Sequence, residues 1–217
     1  MGKLDMGGGT QLKSRGETVR KRSAKGEKRR AEIVAAAVEI FSREGYRGAS
    51  IASVAAQVGL TLPGLLHYFP SKVDLLLEVL AWRDRQSERS FDPDVVHWQA
   101  LLDQLLAANR ANAGIPDMIR VFSVLNAEGL SEDHPAHDWF RGRFDRITRM
   151  MAGAFARGIE AGEVRPDCDP EGLAVEIVAV MDGLQVAWLR APEKVDLVQR
   201  FEAYVARLKA SIAVTAV

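Results

Sequence analysis

The chain has 217 residues, 47% of them apolar, which is enough for a buried core in one large domain or two unequal ones and excludes a disordered polypeptide. Its 29 Lys/Arg balance its 29 Asp/Glu, but residues 1–30 hold ten basic against three acidic residues, net +7, while the other 187 hold 19 against 26, net −7. A basic end on an acidic body points to a polyanionic partner, while uncharged apolar runs far short of the roughly 20 residues that cross a bilayer, and a start without an apolar leader, predict no membrane partner and a cytoplasmic location.

Residues 1–25 contain Gly7-Gly8-Gly9 and many Lys, Arg and Ser with almost no large apolar residues, so they are expected to form a mobile basic arm. From about Lys28 the apolar positions Ile33, Ala37, Ile40 and Phe41 fall on one helical stripe, which Gly45 stops. Ser50 stands as an N-cap before Ile51, Val54 and Ala55, and Gly59 ends this second helix after about two turns. Thr61 offers the next cap, Pro63 sits in the first turn where proline is tolerated, and Leu65, Leu66 and Phe69 supply the buried side of a third short helix. Pro70 closes it. Ser71 then caps a longer fourth helix through Leu75, Leu76, Val79 and Leu80, which links two domains.

Beyond Trp82 helical stripes alternate with breaks at Asp92-Pro93, Gly114 to Pro116, Asp133 to Pro135, Pro166 to Pro170 and Pro192, and no stretch alternates as a strand. The expected fold is all-α, with a basic arm over 1–25, a three-helix head over 26–75, and a larger helical domain over 76–217. No internal repeat is present.

Two short helices joined by a tight Gly-containing turn, the second capped and polar on its outer side, form an arrangement that presents a helix to the DNA major groove. The run Ile33…Ala37…Phe41…Gly45-Tyr46…Ser50-Ile51…Val54-Ala55…Val58-Gly59-Leu60-Thr61…Leu65…His67-Tyr68-Phe69-Pro70-Ser71-Lys72…Leu75-Leu76 closely resembles the TetR family of regulators over about residues 28–80. The resemblance implies that 26–75 is a helix-turn-helix DNA-binding domain and 76–217 a ligand-binding and dimerisation domain, that Ser50 and Thr61, with Tyr68 and Lys72, hold DNA phosphates, and that Leu62, Pro63 and His67 face base edges. Two apolar readers can press on thymine methyls but form no bidentate hydrogen bond. Leu66 replaces a tyrosine common in the family and Gly64 a frequent threonine, so at least one phosphate contact is lost. Gly64 costs on the order of 1 kcal/mol in a helix, which invites either close approach to DNA or drift on an exposed face as its reason. Arg20, Lys21, Arg22, Lys25, Lys28, Arg29 and Arg30 run into the first helix and are expected to follow phosphates or enter the minor groove.

In the larger domain residues 171–190 are apolar almost all round, which implies burial on more than one face. The last helix, about 193–213, carries Leu197, Phe201, Tyr204, Val205, Leu208 and Ile212 on one stripe. The family resemblance implies that these final two helices form a homodimer interface, here through Met181, Leu184, Trp188, Phe201, Tyr204 and Leu208, and a two-fold dimer suits a two-fold operator. Stripes around Met118, Phe122 and Phe140, Met151, with Trp98 and Trp139, are read as walls of a cavity for an apolar or planar aromatic effector, and Asn126, Arg120, Ser123 and His137 as its polar contacts. A helical stripe of aromatics is also ordinary core.

Cys168, flanked by Asp167 and Asp169, is the sole cysteine, so neither a disulfide framework nor a cysteine zinc site is expected, and the flanking acids disfavour a thiolate redox sensor. His134 and His137 stand near Glu132, Asp133 and Asp138, but Pro135 intervenes and no third ligand follows at a defined spacing, so no metal is expected. No nucleophile with its base, phosphate loop or paired carboxylates occurs, so neither enzymatic activity nor a cofactor is expected. The reading is a ligand-released repressor on a palindromic operator. Its alternatives are a ligand-sequestering dimer whose head has lost operator recognition, and a nucleoid-like binder using only the basic arm.

Overall fold

The computed structural model describes residues 11–88 and 97–214, and the side chains of residues 11–23 and 86–88 lie outside the description. Among the described residues the chain forms nine helices. The head contains α1 (Gln11–Gly48), α2 (Ile51–Gln57) and α3 (Leu62–Leu66), and α4 (Lys72–Glu88) leaves it. The body holds α5 (Trp98–Ala113), α6 (Pro116–Glu128), α7 (His137–Glu160), α8 (Pro170–Arg190) and α9 (Leu197–Ile212).

The first helix is longer than the apolar stripe alone predicts, because the backbone is already helical from Gln11. The mobile arm expected over 1–25 is therefore replaced by helix for its second half, and residues 1–10 lie outside the described residues. Gln, Lys, Arg and Glu are good helix formers whose polar periodicity leaves no apolar signature. Gly45 breaks α1 as expected, with φ +67° and ψ −179°, a conformation open essentially to glycine.

Two buried clusters organise the chain. One joins Ile33, Phe41, Val54, Leu65, Phe69 and Leu76 of the head to Met118, Phe122 and Leu125 of α6 and Phe140 of α7. Packing is therefore continuous across the 75/76 boundary drawn from the sequence. The other gathers α5, α7, α8 and α9 around Leu101, Met151, Phe155, Ile177 and Phe201. Gly162 (φ +71°) ends α7 with Glu163 N–H donating to Gly158 O at 2.9 Å, and the chain end returns here, where Val214 N–H donates to Glu163 O at 2.9 Å.

Helix α8 is the most apolar of the body helices. It is long and apolar enough, by length and composition, to cross a membrane, because scattered Glu176 and Asp182 interrupt the run without lowering its average much. In the fold it packs against α6, α7 and α9. Part of its apolar surface, including Val175 and Val186, stays exposed on the single chain.

Candidate nucleic-acid interface and internal cavity

Each short helix of the head is fixed by a local device. Ser50 Oγ accepts the Ala52 N–H at 3.2 Å, and Thr61 Oγ1 accepts the Gly64 N–H at 3.2 Å, so both hydroxyls cap their helices. Between them Gly59 (φ +67°) closes α2: its N–H donates to Ala56 O at 3.0 Å and Leu60 N–H to Ala55 O at 2.8 Å, the paired bonds of a Schellman turn. Buried Leu65 and Phe69 anchor α3 from inside. Leu62 at 39% exposure, Pro63 and His67 consequently face outward, and Tyr68 is half-buried with its ring edge against His67 at 5.7 Å. A Cβ at Gly64 would lie 3.2 Å from Thr61 Oγ1, so the cap itself supplies a local reason for glycine there.

Two basic residues expected on phosphates are spent inside the head. Arg29 donates to Val58 O at the end of α2 at 2.6 Å, where a cation meets the carbonyl end of the helix dipole. Arg30 donates to Tyr68 O at 2.8 Å, lies 4.3 Å above the Phe69 ring, and pairs with Glu78 at 3.3 Å. Arg29 thus ties α1 to the end of α2, and Arg30 ties it to the end of α3. Lys25 and Lys28 stay exposed, whereas the side chains of Arg20, Lys21 and Arg22 lie outside the described residues. Lys72 sits at the seam between head and body, its ammonium 4.4 Å from the Tyr46 ring centroid and 3.5 Å from Arg47 O. Burial pulls its pKa below the ordinary lysine value, against the Glu128 carboxylate, which raises it.

That seam is polar and specific. Glu128, at the last turn of α6, accepts the Tyr46 N–H at 2.7 Å. Buried His134 lies 3.8 Å from the same carboxylate, and its ring meets the Tyr46 ring edge-on at 5.1 Å. Arg47 reaches Asp133 at 2.9 Å. The His134/His137 segment is thus a docking loop for the head: His134 Nδ1 accepts the Ala136 N–H, and His137 Nδ1 lies 2.9 Å from Gly129 O.

Between α4, α5, α6, α7 and α8 lies a cavity with two lobes of about 410 and 390 Å³ that share Phe122, Arg143, Ile147, Val178 and Asp182. Such volumes suit a small organic ligand. Of the residues expected to line it, Phe122, Asn126, Phe140 and Met151 do so, as does His137. Trp98, Met118 and Trp139 do not. Trp98 is packed against Gly158 and donates its Nε1–H to Glu163 at 3.0 Å; Met118 sits in the head-side core; Trp139 stacks edge-on with Phe140 at 4.9 Å. They are core aromatics and core methionine, the ordinary use of such stripes. Arg120 pairs with Asp117 on the surface, and Ser123 does not line the cavity.

The polar lining is different from the expected one. Arg83 and Asp84 come from α4, Asn112 from α5, Arg143 and Arg146 from α7, and Asp182 and Gln185 from α8. Asp84 pairs with Arg143 at 2.9 Å and Arg146 at 3.3 Å. Arg83 donates to Asn112 Oδ1 at 3.2 Å, and burial, then the like charge of Arg143, pull its pKa down to about 10. Burial raises the Asp182 carboxyl above its ordinary value, against Arg143 and Arg83, which lower it. Only Asp182 and Gln185 carried a signal in sequence, as polar interruptions of an otherwise apolar helix.

On the surface expected to meet a partner, Met181, Leu184, Trp188 and Tyr204 are half-buried in the single chain. Phe201 and Leu208 are buried in the subunit's own core together with Val205 and Ile212, so the stripe of α9 that contains them faces inward and they offer no surface to a partner.

A capped, outward-facing α3 on a helical body that holds a cavity is the architecture of a helix-turn-helix regulator. Residues 33–79 match the TetR family of bacterial regulatory proteins, and residues 98–212 match the C-terminal domain of BetI-type transcriptional repressors. The regulator SrpR of Pseudomonas putida is 25% identical over 178 residues, covering 81% of this chain and 82% of that one. The repressor KstR of Rhodococcus jostii is 28% identical over 80% of this chain and 79% of its own. A transcriptional regulator from Saccharomonospora viridis, solved in complex with choline, superposes with a TM-score of 0.70 at 23% identity, over 87% of this chain and all of that one. The chain belongs to the TetR family: it is a DNA-binding transcriptional regulator, not an enzyme.

Proposed function

We propose that the protein is a homodimeric repressor that binds a two-fold operator through α3 of each subunit and leaves it when an effector fills the cavity. The observation that carries this reading is the course of α6, which lines the cavity with Phe122 and Asn126 and, at its last residue, holds the head through Glu128 and the Tyr46 N–H. A ligand that displaces Phe122 or Asn126 acts on the same rigid helix that positions the head. Two heads held one DNA turn apart bind tightly, and a change in their spacing costs one of them its groove. The exposed apolar residues of α8, with Leu184, Trp188 and Tyr204, supply the surface for the second subunit, while Met181, expected on that surface, lines the cavity.

In this reading Ser50, Thr61, Tyr68 and Lys72 grip phosphates, and Leu62, Pro63 and His67 meet base edges. The exposed positions of Leu62, Pro63 and His67 support that assignment. Selection of bound sequences from a random DNA pool, followed by mobility shifts at fixed salt, tests it. A recovered inverted repeat bound by a dimer is expected, and binding no tighter than random DNA would reject the regulator mechanism.

A further inference from the structure

The cavity's lining carries more positive than negative charge. Around the first lobe stand Arg83, Arg143 and Arg146 against Asp84 and Asp182, and the second lobe adds Arg141 and no further acid. Asp84 is already shared by Arg143 and Arg146. Arg83 is 7% exposed and the Arg143 side chain 21%, whereas Arg141 and Arg146 are exposed to solvent. A carboxylate can answer a buried guanidinium with two parallel hydrogen bonds.

Aromatic geometry argues against the opposite ligand charge. The Arg83 and Arg143 guanidinium carbons lie 5.5 and 5.0 Å from the centroid of the Phe122 ring, so the aromatic shared by both lobes already serves two cations. A quaternary ammonium would enter beside the Arg83 and Arg143 guanidiniums and find this ring in use. The rest of the first lobe is apolar and deformable, with Leu105, Ile147, Met150, Met151 and Met181.

We propose that the cavity takes an organic carboxylate with an apolar body, its carboxylate seated by Arg83 and Arg143 beside Phe122 and its body laid against Met150, Met151 and Met181. This rests on the reading of the cavity as the effector site. The raised pKa of Asp182 agrees with it, because a more nearly neutral Asp182 competes less with the incoming anion. The choline bound by the Saccharomonospora viridis protein is thus not the chemistry this cavity selects.

The test uses the full-length chain and matched probes that differ only in their head: decanoate, decanamide and decyltrimethylammonium, then 2-naphthoate, its amide and its trimethylammonium counterpart, with choline as a further cation. Calorimetric affinity and thermal shift are read for each. A carboxylate is expected to bind at least about tenfold more tightly than its amide, and the ammonium compounds and choline not to shift the melting temperature. Asp182→Asn is expected to tighten carboxylate binding several-fold, and Arg83→Gln to abolish the preference over the amide. The gain in Asp182→Asn keeps the test decisive if Arg83→Gln fails to fold. Equal affinity for carboxylate and amide, tighter binding of an ammonium compound, or no carboxylate binding up to its solubility limit would each overturn the proposal. Operator binding is measured separately. Carboxylate binding without operator release would sink the repressor mechanism and leave the ligand class standing, whereas release by the ammonium probes alone would do the reverse.

Discussion

Gly45 concentrates the relation between head and body in one residue, and Gly45→Ala tests it. Its φ of +67° with ψ of −179° is a conformation that an L side chain adopts only at a cost of about 1–3 kcal/mol. A Cβ there would also collide with Glu128 Oε1 and lie 3.2 Å from Glu128 Cδ. The carboxylate must withdraw, which stretches or breaks its bond from the Tyr46 N–H, now 2.7 Å long. A hydrogen bond to a charged group is worth about 1.5–3 kcal/mol. The two losses share one cause and add incompletely, so a destabilisation of about 3 kcal/mol is expected, and at this chain length a fall of roughly 6–12 °C in melting temperature.

Urea denaturation followed by far-UV circular dichroism, on Gly45→Ala, Glu128→Ala and the double variant, separates the terms. In the Glu128→Ala background the collision and the lost bond are already gone, and only the backbone cost of about 1–3 kcal/mol remains for Gly45→Ala. A single variant within about 0.5 kcal/mol of the parent, the range of an inert surface change, would refute the reasoning. So would equal effects in both backgrounds, because then Glu128 and Gly45 would not act on one another.

Asn109 is 1% exposed and neither its Nδ2 nor its Oδ1 has a hydrogen-bond partner among the described residues, so Asn109→Leu is expected to raise stability by about 1 kcal/mol in the same assay. His134 has its pKa lowered from 6.5, first by burial, against Glu128 and Asp133 and with Arg47. The unfolded chain therefore binds the proton more readily than the folded one. The stability His134 contributes is full above pH 6.5 and is lost as pH falls toward its lower folded value, so melting temperature should drop between about pH 7.5 and 5.5, a slope that His134→Asn flattens. His67→Ala should relax sequence preference in a DNA selection while leaving non-specific affinity and its salt slope nearly unchanged, because His67 is exposed on the outer side of the α3 end and carries no phosphate-facing role in this reading.

The head was legible because its signals are local. Ser50, Thr61, Gly59 and Pro63 act on hydrogen bonds within four residues of themselves, and buried Leu65 and Phe69 follow helical spacing. The start of α1 was not, since a helix without an apolar stripe shows no periodicity to read. An apolar stripe also does not say what covers it. The spacing that placed Phe201 and Leu208 on a partner-facing surface is equally that of a stripe turned into the subunit's own core, and the same ambiguity made Trp98, Met118 and Trp139 look like cavity walls. The cavity's arginines were hidden for the opposite reason: on α7, Arg143 belongs to a charged helix and reads as solvent-facing until Asp84 of α4 is laid beside it.

Those two helices show why the hidden charges matter more than the visible aromatics. Helix α4 begins at the seam, where Lys72 lies over Tyr46, and places Arg83 and Asp84 on the cavity three turns later. Helix α6 runs from Phe122 and Asn126 on the cavity to Glu128 under the head. An apolar guest touching only Met150, Met151 and Met181 would engage α7 and α8 and neither of these helices. A guest whose carboxylate engages Arg83 draws on α4 directly, and through the ring between Arg83 and Arg143 it draws on α6. In the proposed mechanism the ligand's charged head is therefore the part that moves the DNA-binding heads, and its apolar body supplies affinity without signal. An uncharged analogue that fills the cavity tightly yet leaves the operator occupied is the behaviour this division of labour requires.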